Sequence, residues 1–340
     1  MSEVSFTAAR VSPFNPSGAP VSAGMRRGEV ALVLSLLRAG QKRDGPEKGA
    51  TFVVDDGFEK LVRSLGWAPS RVVLHQTAPS SIPRVLVPPG HKPFKIHRAA
   101  EVAIANHDLY RICSSAHRRG LFPVNVGADH AFVLGSIRAS CEHYPDLCVV
   151  WVDAHADMNT PFTSPSGNIH GMPVAFLCGL DGTEYWPDLH AFKCVELKQI
   201  GFVGLRDLDD GEIVVIKKHI PRQAKFMVDI QRDGFESSID DLLKILDPSG
   251  TRPIHLSIDV DGMDPFDAPS TGTPVDRGVR LHETLSLVRR LRDSGRLVAA
   301  DVMEVNPMVG SDRDAALTRA NVQWVIAELL GRRAHRIAHV

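Results

Sequence analysis

An α/β fold, one central and mostly parallel sheet with helices on both faces, is the class this sequence predicts, and three observations predict it. Strand-like and helix-like segments alternate from Arg98 onward. The segment Cys148–Val152 is short, β-branched and aromatic without a charge, as a buried strand is. Polar clusters follow several of the strand-like segments directly, and in open parallel sheets ligands bind at the carboxyl ends of the strands. The 340 residues suit one large domain or two small ones and are read as one over 1–340, with a net charge of −1 and 44% hydrophobic residues. That balance gives no electrostatic case for a nucleic-acid or membrane partner, and no apolar run has transmembrane length.

Taken in order, the chain opens with a β-prone piece at Val4–Ala9 and an irregular Pro/Gly/Ser stretch around Pro13–Pro20. Gly28–Ala39 reads as a helix closing at Gly40. A loop-rich segment covers about 40–97, punctuated by Pro79, Pro83, Pro88, Pro89 and Pro93, with small elements such as Arg71–His75. Ala99–Gly120 has the helical period, with Val102, Ile104, Leu109, Ile112 and Cys113 on its apolar side. Strands are expected at Phe122–Val126, Cys148–Val152, Gln199–Gly204, Ala224–Val228, Ile254–Val260 and Val298–Val305. Helices are expected at Phe132–His143, Asp240–Leu246, Leu281–Ser294 and Ala315–Leu330. Five cysteines, an odd number with no C-x-x-C pair, indicate buried thiols in a reducing compartment, and the N-terminus lacks a secretory apolar region. The cytoplasm is the expected location, with an organelle as the alternative.

Four strand ends carry chemistry. Phe122–Val126 runs into Gly127-Ala-Asp-His130. Cys148–Val152 runs into Asp153, His155 and Asp157. Ile254–Val260 carries Asp259 and then Asp261, and Val298–Val305 carries Glu304. If the extended conformation continues, residues two apart point the same way, so Asp153, His155 and Asp157 converge. Alone, that triplet is equally a polar loop whose aspartates cap the next element. Together, four aspartates and two histidines carry a charge of about −4 and would repel one another unless cations joined them. One divalent ion leaves roughly −2 in the cleft, whereas two neutralise it. Carboxylates and imidazoles without thiolate suit a hard, six-coordinate ion such as Mn²⁺ better than structural Zn²⁺. A two-metal site activates water for hydrolysis.

The motifs resemble those of arginases in the ureohydrolase family. They are Gly-Ala-Asp-His (127–130), the run from Asp153 to Pro173, Gly204 to Glu212, Ser257 to Pro265, Thr-Gly-Thr-Pro (271–274) and Met-Glu-Val-Asn-Pro (303–307). They follow the family's order and spacing over roughly 120–335. The resemblance implies an arginase-like three-layer sandwich and two Mn²⁺ held by His130, Asp153, His155, Asp157, Asp259 and Asp261. It implies hydrolysis of L-arginine to L-ornithine and urea, by a hydroxide shared between the cations attacking the guanidinium carbon. Glu304 would hold the guanidinium, His170 would shuttle protons, Thr273 would lie close to the reacting group, and Asp157 counts among the catalytic residues as well as the ligands. Asn159, Ser166 and Asn168 match the loop that reads the α-carboxylate, and Asp209, with Glu212 nearby, matches the contact to the α-ammonium. A homotrimer with Thr318–Val340 as a contact surface is also implied.

Two departures stand out. Ala128 and Ala131 replace the usual Gly and Ser beside His130, which predicts a less firmly held His130 end. The Gly-x-x-x-Gly-Pro pattern near the family's first helix is missing, with Arg26–Gly28 in its place. A hydrolase of agmatine, guanidinobutyrate or a formimino compound would share the metal residues and differ in the 159–170 loop. A non-catalytic arginine sensor would not need every ligand, and a two-metal phosphoesterase lacks a phosphate-cradling Gly-rich loop here.

Overall fold

The structure, a computed structural model, describes residues 29–75 and 95–331. Its elements in chain order are β1 (Glu29–Leu36), α1 (Pro46–Val53), α2 (Asp56–Ser64), β2 (Ala68–His75), α3 (Ala99–Arg118), β3 (Phe122–Val126) and α4 (Leu134–His143). There follow β4 (Cys148–Val152), α5 (Pro173–Cys178), α6 (Pro187–His190), β5 (Ile200–Leu205), α7 (Asp210–His219), β6 (Ala224–Phe226), α8 (Met227–Asp233) and α9 (Phe235–Leu246). The last described elements are β7 (Ile254–Asp259), α10 (Leu281–Asp293), β8 (Leu297–Met303) and α11 (Asp312–Leu330).

The eight strands form one sheet in the order β2-β1-β3-β8-β7-β4-β5-β6, with every pairing parallel. The period of two divides the side chains between two cores. Val150 and Val152 pack with α1, α2 and α8–α11 on one face. Val149 and Trp151 pack with α3–α7 on the other. Helices therefore cover both faces, as the alternation predicts. The strands whose ends carry polar residues, β3, β8, β7 and β4, are the four central neighbours of the sheet. Crossovers between parallel strands bring these four ends to one edge.

The amino-terminal third differs from the expectation. Residues 29–39 hold no helix: β1 occupies Glu29–Leu36 and lies between β2 and β3. Val30 to Leu34 are all buried, with Val30, Leu32 and Leu34 facing one core and Val33 the other. A short run that is apolar on both sides leaves no polar face to mark its period, so strand and helix look alike in sequence. The loop-rich reading of 40–97 is also corrected for its described part, which holds α1, α2 and a β2 that starts at Ala68 rather than Arg71. Asp55 caps α2 by accepting from Phe58 N (2.8 Å).

A Gly-x-x-x-Gly spacing does occur, Gly45 to Gly49 at the start of α1, followed by Ala50 rather than proline. A Cβ on Gly49 would stand 2.2 Å from the Val305 carbonyl oxygen, so glycine lets α1 sit directly on the chain after β8. Smaller differences concern Ala224–Val228, where the strand ends at Phe226, and α5–α8, which the sequence reading passed over. The expectations for Val4–Ala9, Pro13–Pro20, Arg26–Gly28, the prolines from 79 to 93 and the tail from 332 to 340 lie outside the described residues. Among the described residues no helix is long and apolar enough to cross a membrane.

Candidate functional site

His130 stands where β3 turns into a short 3-10 turn, His130–Val133, ahead of α4. The turn needs left-handed backbone at Gly127 (φ 87°) and at Ala128 (φ 65°). For alanine that conformation costs about 1–2 kcal/mol. Ala128 is fully buried, and its carbonyl accepts from Glu304 N (2.9 Å), which ties the end of β3 to the end of β8. The side-chain acceptor that Ala131 lacks is found on its neighbour. Asp129 supplies the cap instead, its Oδ1 accepting from Ala131 N (3.1 Å) and its Oδ2 from Gly40 N (2.9 Å).

The aspartates converge, but by turns rather than by strand alternation. β4 ends at Val152, His155 N donates back to Asp153 Oδ1 (2.7 Å), and Asp157 adopts φ 51°. Asp261 N likewise donates to Asp259 Oδ1 (2.8 Å) just after β7. Such side-chain-to-backbone turns are what short carboxylates favour.

Two groups of ligand-type atoms result, His130–Asp153–Asp157 and Asp153–His155–Asp261. In the first, His130 Nδ1 lies 3.1 Å from Asp153 Oδ2, 3.1 Å from Asp157 Oδ2 and 3.3 Å from Asp259 Oδ2. In the second, His155 Nδ1 lies 3.3 Å from Asp153 Oδ1 and 3.4 Å from Asp261 Oδ2. Asp153 therefore gives one oxygen to each group. One imidazole N–H cannot satisfy three carboxylates, whereas ligands about 2.1 Å from one cation at right angles lie about 3 Å apart. His130 Nε2 is 2.9 Å from Ser257 Oγ, and that bond leaves Nδ1 to face the carboxylates. Oxygen and imidazole donors without thiolate fit a divalent cation of the Mn²⁺ type.

The charges strain one another without cations. Burial opposes ionisation of Asp259 and Asp261 and raises both, with neighbouring aspartates adding to the effect. Burial likewise lifts Asp157 to about 6. Burial also works against the imidazolium of His130, yet hydrogen bonds to Asp153, Asp157 and Asp259 raise it well above the usual histidine range.

Beside the groups lies a second buried cluster. Glu304, at φ 65°, accepts at Oε1 from His130 N (2.9 Å) and faces His170 Nδ1 (3.1 Å). Its Oε2 accepts from Gln41 Nε2 (2.7 Å). Burial disfavours a charged His170, but the Glu304 carboxylate raises it to about 9. Thr273, on the exposed rim, donates from Oγ1 to Asp261 Oδ2 (2.6 Å).

The 159–170 loop ends beside this cluster, at His170. Asn159 donates from Nδ2 to Asp209 Oδ2 (2.8 Å) and accepts from Thr163 Oγ1 (3.0 Å). Ser166 is exposed, Asn168 is half-buried, and the Asn168 amide donates to Ser166 Oγ (3.2 Å). Glu212 is buried, and its two oxygens accept from Met158 N and Asp209 N (both 3.0 Å). Glu212 thus holds the backbone of this wall, and burial lifts its carboxyl to about 7.

Sequence reading missed Gln41, Asp129 and Arg206. The Arg206 guanidinium donates to the carbonyls of Gly204 (2.9 Å), Asp261 (2.6 Å) and Val275 (2.8 Å), fastening the turn after β7 to the stretch beyond Thr273. The charged Arg and Asp inside the motif runs were available signals. For Gln41, 263 residues from its partner Glu304, local sequence offers none.

The family model for the Arginase family matches residues 75–330. Human "Arginase-2, mitochondrial" is 36% identical over 308 residues, covering 89% of this chain and 84% of that protein. "Arginase-1" of Rattus norvegicus is 37% identical, covering 86% and 89%. The crystal structure of Entamoeba histolytica arginase in complex with L-ornithine superposes with a TM-score of 0.77 at 29% identity, covering 91% of this chain and 99% of that one.

Proposed function

Because this chain belongs to the arginase family and is an enzyme, a hydrolase of that family, we propose that it hydrolyses L-arginine to L-ornithine and urea with two Mn²⁺. The observation that carries the reading is Asp153, whose two oxygens face two separate ligand groups. His130, Asp157 and Asp259 would hold one cation and His155 and Asp261 the other. When bound, the pair supplies activation of water and neutralises charge in the cleft.

The chain's own residues supply the rest. A guanidinium keeps its charge, so the Glu304 carboxylate at the base of the cleft binds and orients it. His170, held at Nδ1 by Glu304 and raised to about 9, carries a proton at neutral pH and donates it to the departing amine. Thr273 holds Asp261 at the rim beside the reacting group. Ser166 and Asn168, neutral donors on the loop, read the α-carboxylate with Asn159 beside them. Asp209 faces the α-ammonium, and Glu212 fixes its backbone. We read residues 1–340 as one catalytic domain that assembles as a homotrimer through the surface of α11. All five cysteines are free, which supports the cytoplasm as its compartment.

The test is urea release from L-arginine and from agmatine by metal-stripped protein before and after Mn²⁺ is restored. Manganese-dependent urea from arginine alone is expected. Preference for agmatine would overturn the loop assignment, and a protein that binds no metal would sink the two-cation reading.

A further inference from the structure

The hydrogen bonds around Glu304 leave it unable to grip a guanidinium with both oxygens. Its Oε1 already meets two groups of this chain, the His130 amide and the His170 ring. Its Oε2 meets one, Gln41 Nε2 at 2.7 Å. The parallel two-bond pairing between a guanidinium and a carboxylate needs a free site on each oxygen. A single site on Oε2 remains, so the second acceptor for a planar, many-donor cation has to come from another side chain.

The geometry points to Gln41, and we propose that its Oε1 is that second acceptor, making Gln41 a substrate-reading residue for the guanidinium. A carboxylate only accepts, so the end of the Gln41 amide that faces Glu304 must be its NH₂, which turns Oε1 away. Among the described residues no donor meets that oxygen. The space it faces is kept by Gly272. A Cβ on Gly272 would stand 3.4 Å from Glu304 Oε2 and 3.6 Å from Gln41 Oε1, so the two acceptors share one gap. The Gly272 carbonyl, the other nearby acceptor, is taken by Arg43 Nη1. Gln41 is largely buried (6% exposed), so its side chain is held in place while Oε1 faces the gap. The inference rests on the guanidine substrate proposed above and adds the residue that reads it.

The test pairs Gln41→Met, close in size but without the oxygen, with Gly272→Ala, which fills the gap from the other side. No neighbour comes nearer than 3.4 Å to the added methyl, so Gly272→Ala has room to fold. KM for L-arginine is expected to rise at least about tenfold in each variant, the size of one hydrogen bond to a charged group, with kcat changed less. Inhibition by L-ornithine, which has no guanidinium, and the bound manganese are expected to match wild type. An unchanged KM in both variants overturns the inference. So does a rise accompanied by lost metal or weakened ornithine binding, since that is the mark of a merely structural role. If wild type releases no urea from arginine, the proposed substrate fails instead. The acceptor pair is then read directly by guanidinium chloride at millimolar concentration in a thermal-shift titration, where stabilisation of wild type but not of the variants is expected and equal responses refute it.

Discussion

At the scale of single residues, the partner of a ligand matters as much as the ligand. Ser257 meets His130 Nε2 at 2.9 Å and sets which ring nitrogen faces the aspartates. Ser257→Ala is expected to weaken manganese binding about 10- to 100-fold, measured by competition with a chelating dye, while leaving the fold intact by circular dichroism. Asp153→Ala removes an oxygen from both groups, and its metal content should fall below that of Asp157→Ala, which touches one. Away from the site, His117 carries the clearest pH signature. Burial drives its pKa down to about 3, with His143 adding to the effect. The folded state keeps His117 neutral between pH 3 and 6.5 while the unfolded state takes up a proton. Its contribution to stability is therefore fully present above about pH 6.5 and is lost as pH falls toward 3, at about 1.4 kcal/mol per pH unit. In His117→Phe the dependence of stability on pH across that window should be shallower by close to one proton, read from urea unfolding at several pH values with matched metal. An unchanged slope would refute this.

At the scale of elements, contacts between the ends of strands and the helices above them decide the site. α1 lies against the chain after β8 because Gly49 has no side chain where Val305 O approaches. Val305 is also bridged to Thr271, so this backbone has little freedom to retreat. Gly49→Ala is expected to cost about 1–3 kcal/mol by overpacking, read as a lowered melting temperature. The carboxyl ends of β3, β4, β7 and β8 were legible from sequence because each strand is a short apolar run stopped by polar residues, and the polar residues stand out against it. The turns that bring Asp157 and Asp261 inward were not. Strand alternation and an Asx-type turn both bring residues two apart to one side, so the spacing alone could not distinguish them. β1 was misread for a related reason: burial on both faces erases the period that separates strand from helix.

At the scale of the whole molecule, the protein gathers four buried aspartates at the centre of its sheet, Asp153, Asp157, Asp259 and Asp261. Such a cluster opposes folding unless cations join it. Ligands that bind the folded state alone stabilise it by mass action, so removing metal by dialysis against a chelator should lower the melting temperature, and adding Mn²⁺ should restore it with a concentration-dependent gain. A melting temperature indifferent to metal would count against the candidate centre.

The sequence by itself determined the α/β class, most of the strands after residue 98, and the ligand-type residues at their ends. Those properties are written locally: an apolar run has a length, a motif has a spacing, and a polar residue after a strand falls at the sheet edge whatever surrounds it. Tertiary structure alone decided that β3, β8, β7 and β4 are neighbours, that Asp129 caps the turn at His130, and that Gln41 reaches Glu304 across 263 residues. The physical reason is that strand order, close backbone approach at Gly49 and the sharing of a carboxylate's acceptor sites arise from elements distant in the chain. No local pattern records them until packing brings them together.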